Sequence, residues 1–206
     1  MDRPGAAFPP GFFDRFDDQP DGDFYAPLRL VTHIDDGAIE AVGGLYERLG
    51  LRGDVLDLMS SWVSHFRTAP ASLTVLGMNA TELARNPMAT AAVVHDLNVE
   101  PRLPFDDGSF DAVTCCVSVD YLVRPVDVFA DVARVLRPDG RFVVTFSNRC
   151  FPTKAIRGWL ATDDGGRLAI VRAYFEQAAA FATPSVEHCN PGVPGDPLYA
   201  VWAVRA

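Results

Sequence analysis

The sequence predicts an α/β domain: a doubly wound, seven-stranded, mostly parallel sheet with an antiparallel last strand and helices on both faces. Three observations carry that expectation. Short apolar runs alternate with helix-like segments through most of the chain. Those runs are continuously apolar, which suits strands covered on both sides. The chain then closes on two strand-like stretches, "SVEHCN" and "LYAVWAVRA", joined by the turn-rich "PGVPGDP", the pattern of a hairpin-like pair.

Taken in order, residues 1–33 form an N-terminal segment with Phe8, Phe12, Phe13, Phe16, Phe24 and Tyr25 set among Pro, Gly and Asp. Such a stretch cannot bury its own rings, so it is expected either to stay mobile or to lie as an aromatic flap over a domain spanning 34–206. In "HIDDGAIEAVGGLYERLGL", Asp35 or Asp36 can cap a helix on which Ile39, Val42, Leu45, Tyr46 and Leu49 share a face. "DVLDLM" predicts the first strand, and "SSWVSHF" a turn into a short helix. "SLTVLGM" is the second strand, "TELARNP" one or two helical turns and "AAVVHDL" the third strand. "FDAVTCCVSV" is the fourth, "VDVFADVARVLR" an amphipathic helix and "GRFVVTFSN" the fifth. A helical region then spans about 154–180, before the closing strands.

Composition narrows the function. With 206 residues and about half of them apolar, one well-packed domain is expected. A net charge of −9 without any run of Lys or Arg speaks against nucleic acid and against an anionic membrane surface. No apolar stretch approaches the roughly 18 residues that span a bilayer. Cys115, Cys116, Cys150 and Cys189 show no Cys-x-x-Cys spacing, and neighbours 115 and 116 on a strand face opposite ways, so a reduced, cytoplasmic chain is expected.

In a doubly wound sheet, ligands sit outside the carboxyl ends of the strands, near the point where strand order reverses. The residues that follow the strands here are unusually polar: Asp57, Ser60, Ser61, Asn79, Asp96, Asn98, Asp120, Asn148 and Arg149.

The series "VLDLMSS", "VLGMN", "VHDLNVEPRLPFDDGSFDAVTCCVSVDYL" and "ARVLRPDGRFVVTFSN" resembles the class I S-adenosylmethionine-dependent methyltransferases, of the small-molecule type, from about residue 34 to the end. "LPFDDGSFDAV" followed by "RVLRPDGRFVV" is its most specific part. The resemblance implies a Rossmann-like fold and S-adenosyl-L-methionine as cofactor, with S-adenosyl-L-homocysteine as product. It implies that Asp57 organises the first loop and helps receive the methionine ammonium. Met59, Ser60 and Ser61 would form that loop, in which glycines are usual and none occurs. The residue after the second strand, usually an acid that accepts both ribose hydroxyls, is Asn79, an amide without a carboxylate's bidentate charge. Asp96 would take the adenine amine and Leu97 offer its backbone N–H, with Met78 and Val117 as apolar walls. Ser60 and Ser61, at the start of the expected helix, would serve the cofactor carboxylate. The usual Pro-Gly-Gly before the fifth strand is Pro138-Asp139-Gly140, and Asp tolerates turn geometry.

Methyl transfer is an in-line displacement, so the protein positions the acceptor and, for a hydroxyl or protonated amine, removes a proton. The candidates are His33, with Tyr25 and Arg29 nearby in sequence, then Asp120 and Tyr121 after the fourth strand, and Asn148 after the fifth, beside an Arg149 suited to a carboxylate. His65 reads as structural. No metal is implied. Without a sizeable insertion after the fifth strand, the acceptor pocket comes mainly from the flap and residues 148–161, which points to a small-molecule acceptor. A catalytically silent cofactor-binding or scaffold protein is the alternative. A nicotinamide-dependent oxidoreductase fits less well, since both Gly-x-Gly-x-x-Gly and the acid after the second strand are lacking. Acceptor atom and oligomeric state stay open.

Overall fold

The computed structural model describes residues 8–206; the first seven residues of the expected flap lie outside them. The sheet has seven strands in the order β3-β2-β1-β4-β5-β7-β6. They are β1 (Asp54–Leu58), β2 (Ser72–Gly77), β3 (Ala91–Val94), β4 (Phe110–Cys116), β5 (Leu136–Phe146), β6 (Ser185–His188) and β7 (Tyr199–Val204). β1 pairs in parallel with both β2 and β4, so strand order reverses between β1 and β4. β7 inserts antiparallel between β5 and β6, as the closing pair predicts.

The long helices cover both faces because each has one apolar stripe to bury. The helices are α1 (Asp21–Tyr25), α2 (Asp36–Arg48), α3 (Ala80–Leu83), α4 (Pro125–Val135), α5 (Arg157–Leu160) and α6 (Asp164–Ala178). Asp35 caps α2 by accepting from the Ala38 N–H, and Val42, Leu45 and Tyr46 pack with Val55, Leu73 and Val75 on one face. On the other, Phe129 and Val132 of α4 and Val171, Tyr174 and Phe175 of α6 pack on Leu56, Val113 and Phe142. Cys115 and Cys116 fall on opposite faces, with Cys115 in one core cluster and Cys116 against the other, and all four cysteines are free.

Two local expectations are corrected. No helix follows β1: residues 59–71 form an irregular loop. Instead of capping a helix, the Ser60 hydroxyl donates back to Asp57 on β1 and the Ser61 hydroxyl to Glu82 on α3, and Trp62 Nε1 donates to the Val31 carbonyl. β5 begins at Leu136, four residues before the expected "GRFVV", because Leu136 pairs with Phe110 ahead of the tight turn. Asp139 takes that turn in the left-handed region, at φ 63.

The described part of the N-terminal segment lies over the domain. Phe8, Phe12 and Phe13 pack on the core beside Tyr174. The Gly158 and Arg157 N–H groups donate to the Phe12 and Asp14 carbonyls, and any Cβ at Gly158 would lie 2.3 Å from the Phe12 ring. Lys154, fully buried, donates to the Gln19 carbonyl at 2.7 Å and pairs with Asp17 at 3.2 Å and Asp21 at 3.1 Å. Residues 8–25 are thereby clamped to the start of α5.

Candidate functional site

A cavity of about 620 Å³ opens at the carboxyl ends of β1, β2, β3 and β4, against the N-terminal segment and the loop after β5. Its size lies within the roughly 300–1,000 Å³ of small-molecule sites.

The first loop solves the problem of its missing glycines in two ways. Met59 itself adopts the left-handed conformation, at φ 52, for which a non-glycine residue is penalised by about 1–2 kcal/mol. The close approach of two backbones is moved to the neighbouring strand: the Ser60 N–H donates to the Leu76 carbonyl at 2.8 Å, and a Cβ on Gly77 would lie 2.2 Å from the Ser60 carbonyl oxygen. Val117, after β4, is also left-handed, at φ 47. Left-handed non-glycine residues on both sides of the switch point are the kind of stored strain that clusters at ligand sites.

Asp57 holds this loop from below. It is 4% exposed and accepts hydrogen bonds from the hydroxyls of Ser60, Ser64 and Thr114, each at 2.7 Å. Burial raises its pKa, and the three hydroxyls oppose that rise. Asp57 lies outside the cavity lining, so the expected contact with a ligand ammonium has no counterpart in its position.

At the end of β2 the polar groups are already engaged. Asn79 caps α3, its Oδ1 accepting from the N–H groups of Thr81 and Glu82 at 3.0 and 3.1 Å. Its Nδ2 donates to the carbonyls of Tyr25 and Ala26 at 3.0 and 3.1 Å, tying the N-terminal segment to the cavity edge. Glu82, 8% exposed, accepts from the Arg29 N–H at 2.7 Å and from the Ser61 hydroxyl at 2.6 Å.

After β3, Asp96 accepts from the Asn98 and Val99 N–H groups, while buried Leu97 forms part of the wall. Asn98 then donates to Asp21 and to the Tyr121 carbonyl and accepts from the Val123 N–H, joining three segments. Asp21, the first residue of α1, is buried. Burial would raise its pKa, but hydrogen bonds from Arg15, Asn98 and Lys154 outweigh that and leave it lowered.

The other end of the cavity is aromatic. Phe151 packs edge-on against Phe24 at 5.3 Å and His33 at 5.2 Å and lies 5.9 Å from Tyr121. The Arg29 guanidinium stacks over Phe24 at 4.7 Å. Tyr121 Oη accepts from the Phe151 N–H, fixing the loop after β5. Desolvation pushes the pKa of Tyr25 and of Tyr121 up, with Asp120 adding to both, so the two phenols stay protonated. Desolvation lowers the pKa of His33, opposed by Glu82 and assisted by Arg29, so its imidazole is neutral at pH 7. His65 is lowered for the same first reason, against the pull of Asp57, and it too lines the cavity.

The structure therefore brings Tyr25, His33, Met59, Ser60, Ser61, Met78, Asn79, Asp96, Leu97, Val117, Tyr121 and Asn148 to one cavity wall. Asp120 is a correction: it is 2% exposed and turned away from the cavity, its Oδ2 without a partner among the described residues. Burial pushes its pKa up to about 8, so at neutral pH it is mostly a protonated acid inside the fold, unsuited to touching an acceptor. Sequence reasoning missed Asp21, Glu82 and Phe151. Glu82 had a legible signal, the Asn-x-x-Glu spacing of a helix start, whereas nothing local marks Asp21 or Phe151.

Comparison with known proteins agrees with this geometry. A family model described as a methyltransferase domain matches residues 63–144. The ubiquinone/menaquinone biosynthesis C-methyltransferase UbiE of Citrifermentans bemidjiense is 35% identical over 92 residues, covering 40% of this chain and 39% of that protein. A demethylmenaquinone methyltransferase of a Mycobacterium species is 48% identical over 56 residues, 25% of this chain and 24% of that one. The chain thus spans well under half the length of these curated relatives. Among solved structures, a SAM-dependent methyltransferase from Aquifex aeolicus superposes with a TM-score of 0.59 at 12% identity, covering 84% of this chain and 94% of that one. Geranyl diphosphate C-methyltransferase from Streptomyces coelicolor, solved with Mg2+, geranyl diphosphate and S-adenosyl-L-homocysteine, gives 0.55 at 14% identity, over 81% and 77% of the two chains.

Proposed function

We propose that this chain, whose fold and methyltransferase-domain segment resemble the class I S-adenosylmethionine-dependent methyltransferases, transfers a methyl group from S-adenosyl-L-methionine to a small hydroxylated aromatic acceptor. The observation that carries this reading is the cavity itself: it lies at the switch point between β1 and β4 and joins a polar half to an aromatic half. The polar half suits the cofactor. Met59 to Ser61 offer backbone groups to its amino-acid end, Leu97 and Met78 are apolar surface for adenine, and Asp96 keeps acceptor capacity for an exocyclic amine.

The bound cofactor supplies an electrophilic methyl: the new bond to the acceptor forms as the carbon–sulfur bond breaks, and the electron pair stays on sulfur. The chain's own task is to place the acceptor and move its proton. Tyr121 and Phe151 form the walls for a planar ring, with Phe24 packed edge-on against Phe151. His33, neutral and at the mouth, accepts the proton of a ring hydroxyl, which raises the electron density of that oxygen and of the ring carbons beside it. The names of the curated relatives support a ring of the quinone type, and that of UbiE supports methylation at carbon.

One observation favours a second reading, binding without transfer: the hydroxyls of Ser60 and Ser61 and both ends of the Asn79 amide are engaged within the protein. Calorimetry with S-adenosylhomocysteine and NADH, followed by methyl-label transfer to a panel of quinols, phenols and aliphatic alcohols, separates the readings. Binding of S-adenosylhomocysteine with labelled aromatic product supports methyl transfer. Binding without any labelled product supports the second reading, and binding of NADH alone overturns both.

A further inference from the structure

We infer that Glu82, and not Asn79, is the residue that accepts hydrogen bonds from the ribose hydroxyls of the cofactor, an assignment that rests on the methyltransferase reading above. The reasoning is a count of hydrogen-bonding capacity. An amide side chain has two N–H donors and two lone pairs on its oxygen. All four of these are used in Asn79, by the carbonyls of Tyr25 and Ala26 and by the N–H groups of Thr81 and Glu82. Asn79 thus has nothing left for a ligand unless the cap of α3 or the tether of the N-terminal segment is broken.

Glu82 differs on each point. It stands one helical turn further along α3, on the same side as Asn79, and both line the cavity at the end of β2. A carboxylate has about four lone-pair sites. Glu82 spends one on each oxygen, Oε1 on the Arg29 N–H and Oε2 on the Ser61 hydroxyl. One site per oxygen remains, which is the requirement for two adjacent hydroxyls taken in a bidentate fashion. The existing bonds hold the carboxylate in place from both sides, through the first loop and through the N-terminal segment. The other carboxylates on the cavity wall are committed elsewhere: Asp21 to Arg15, Asn98 and Lys154, and Asp96 to the turn after β3.

The test compares, by calorimetry on the full chain, S-adenosylhomocysteine with its 2′,3′-dideoxy analogue, so that each variant is its own control for folding and for the rest of the site. Wild-type protein is expected to prefer the parent by about tenfold to a hundredfold, the worth of a charged pair of hydrogen bonds. Glu82→Gln, which removes the charge, and Glu82→Asp, which keeps it but withdraws it, are both expected to shrink that preference to within about threefold. Asn79→Ser, which retains a helix cap, is expected to leave it unchanged. A preference unchanged in both Glu82 variants, or abolished in Asn79→Ser, or absent in the wild type while S-adenosylhomocysteine still binds, overturns the assignment alone. Failure of the wild type to bind S-adenosylhomocysteine overturns the methyltransferase reading and this assignment with it.

Discussion

Asp120 shows how far the meaning of one residue depends on where its side chain points. Two residues either way along the same loop, Ser118 and Leu122 line the cavity, yet the Asp120 carboxyl is turned into the interior, near the Tyr174 hydroxyl, which likewise has no partner among the described residues. Its pKa of about 8 has a direct consequence for stability. The unfolded chain releases this proton near pH 3.8 and the folded chain near pH 8, so between those values the unfolded state binds fewer protons and stability falls as pH rises. Asp120→Asn, which cannot ionise, is expected to flatten that slope. Urea unfolding at pH 5 and pH 8 checks it: the wild type loses more stability than the variant over this interval, and equal losses would show that Asp120 is not a buried acid. The cavity residues that follow strands, such as Ser60, Met78, Asp96 and Val117, were legible, because a position just after a parallel strand is a rim position wherever its neighbours lie. The inward turn of Asp120 was not legible, since it depends on the packing of α5 and α6 above it.

At the scale of elements, the first loop carries the strongest coupling between sequence and site. Sequence comparison looks for glycine inside that loop, and the fold instead puts the needed glycine on β2, opposite it. Gly77→Ala would drive a methyl group to 2.2 Å from the Ser60 carbonyl oxygen, a backbone atom that cannot step aside without moving the whole loop. The expected result is at least a tenfold loss of S-adenosylhomocysteine affinity together with a destabilisation of about 1–3 kcal/mol, the usual range for overpacking. Calorimetry and chemical denaturation measure the two, and full affinity in the variant would show that the loop adapts freely. The strands and the helices α2 and α4 were readable from apolar period, whereas the single helical region expected over about 154–180 is split into α5 and α6. The expected helix in "SSWVSHF" was not formed, because hydroxyls able to cap a helix found better partners in Asp57 and Glu82, one in the sheet and one across the cavity.

For the whole molecule, the N-terminal segment is part of the site and is held by charge as much as by its rings. Lys154 is fully buried with Asp17 and Asp21, and Asp21 also takes both oxygens to Arg15. Removing one partner of a buried ion pair costs about 3–5 kcal/mol where the other is left uncompensated, and because Arg15 still holds Asp21 the cost here is expected to fall below that range. Lys154→Met is therefore expected to loosen residues 8–33 and to open a proteolytic site within them under conditions in which the wild type stays intact. Saturating S-adenosylhomocysteine, at about 100 times its dissociation constant, is expected to add about 2.7 kcal/mol and raise the melting temperature of the wild type by roughly 5–10 °C. The rise should be smaller for Lys154→Met, because Glu82 and Asn79 are bonded to the segment that this variant releases.

The division between what the chain's linear pattern determines and what its folding adds has a physical cause. Apolar period, strand length and the turn signals of "PGVPGDP" are local quantities, and from them follow the class of fold, the parallel core of the sheet and the rim on which a ligand sits. Hydrogen-bonding capacity is not local. Whether Asn79 is a free acceptor or a spent one is decided by Tyr25 and Ala26, more than fifty positions earlier, and whether Glu82 is a helix-start residue or a cavity carboxylate is decided by Ser61 and Arg29. Polar groups are assigned only when distant segments meet and every buried donor and acceptor must be satisfied at once.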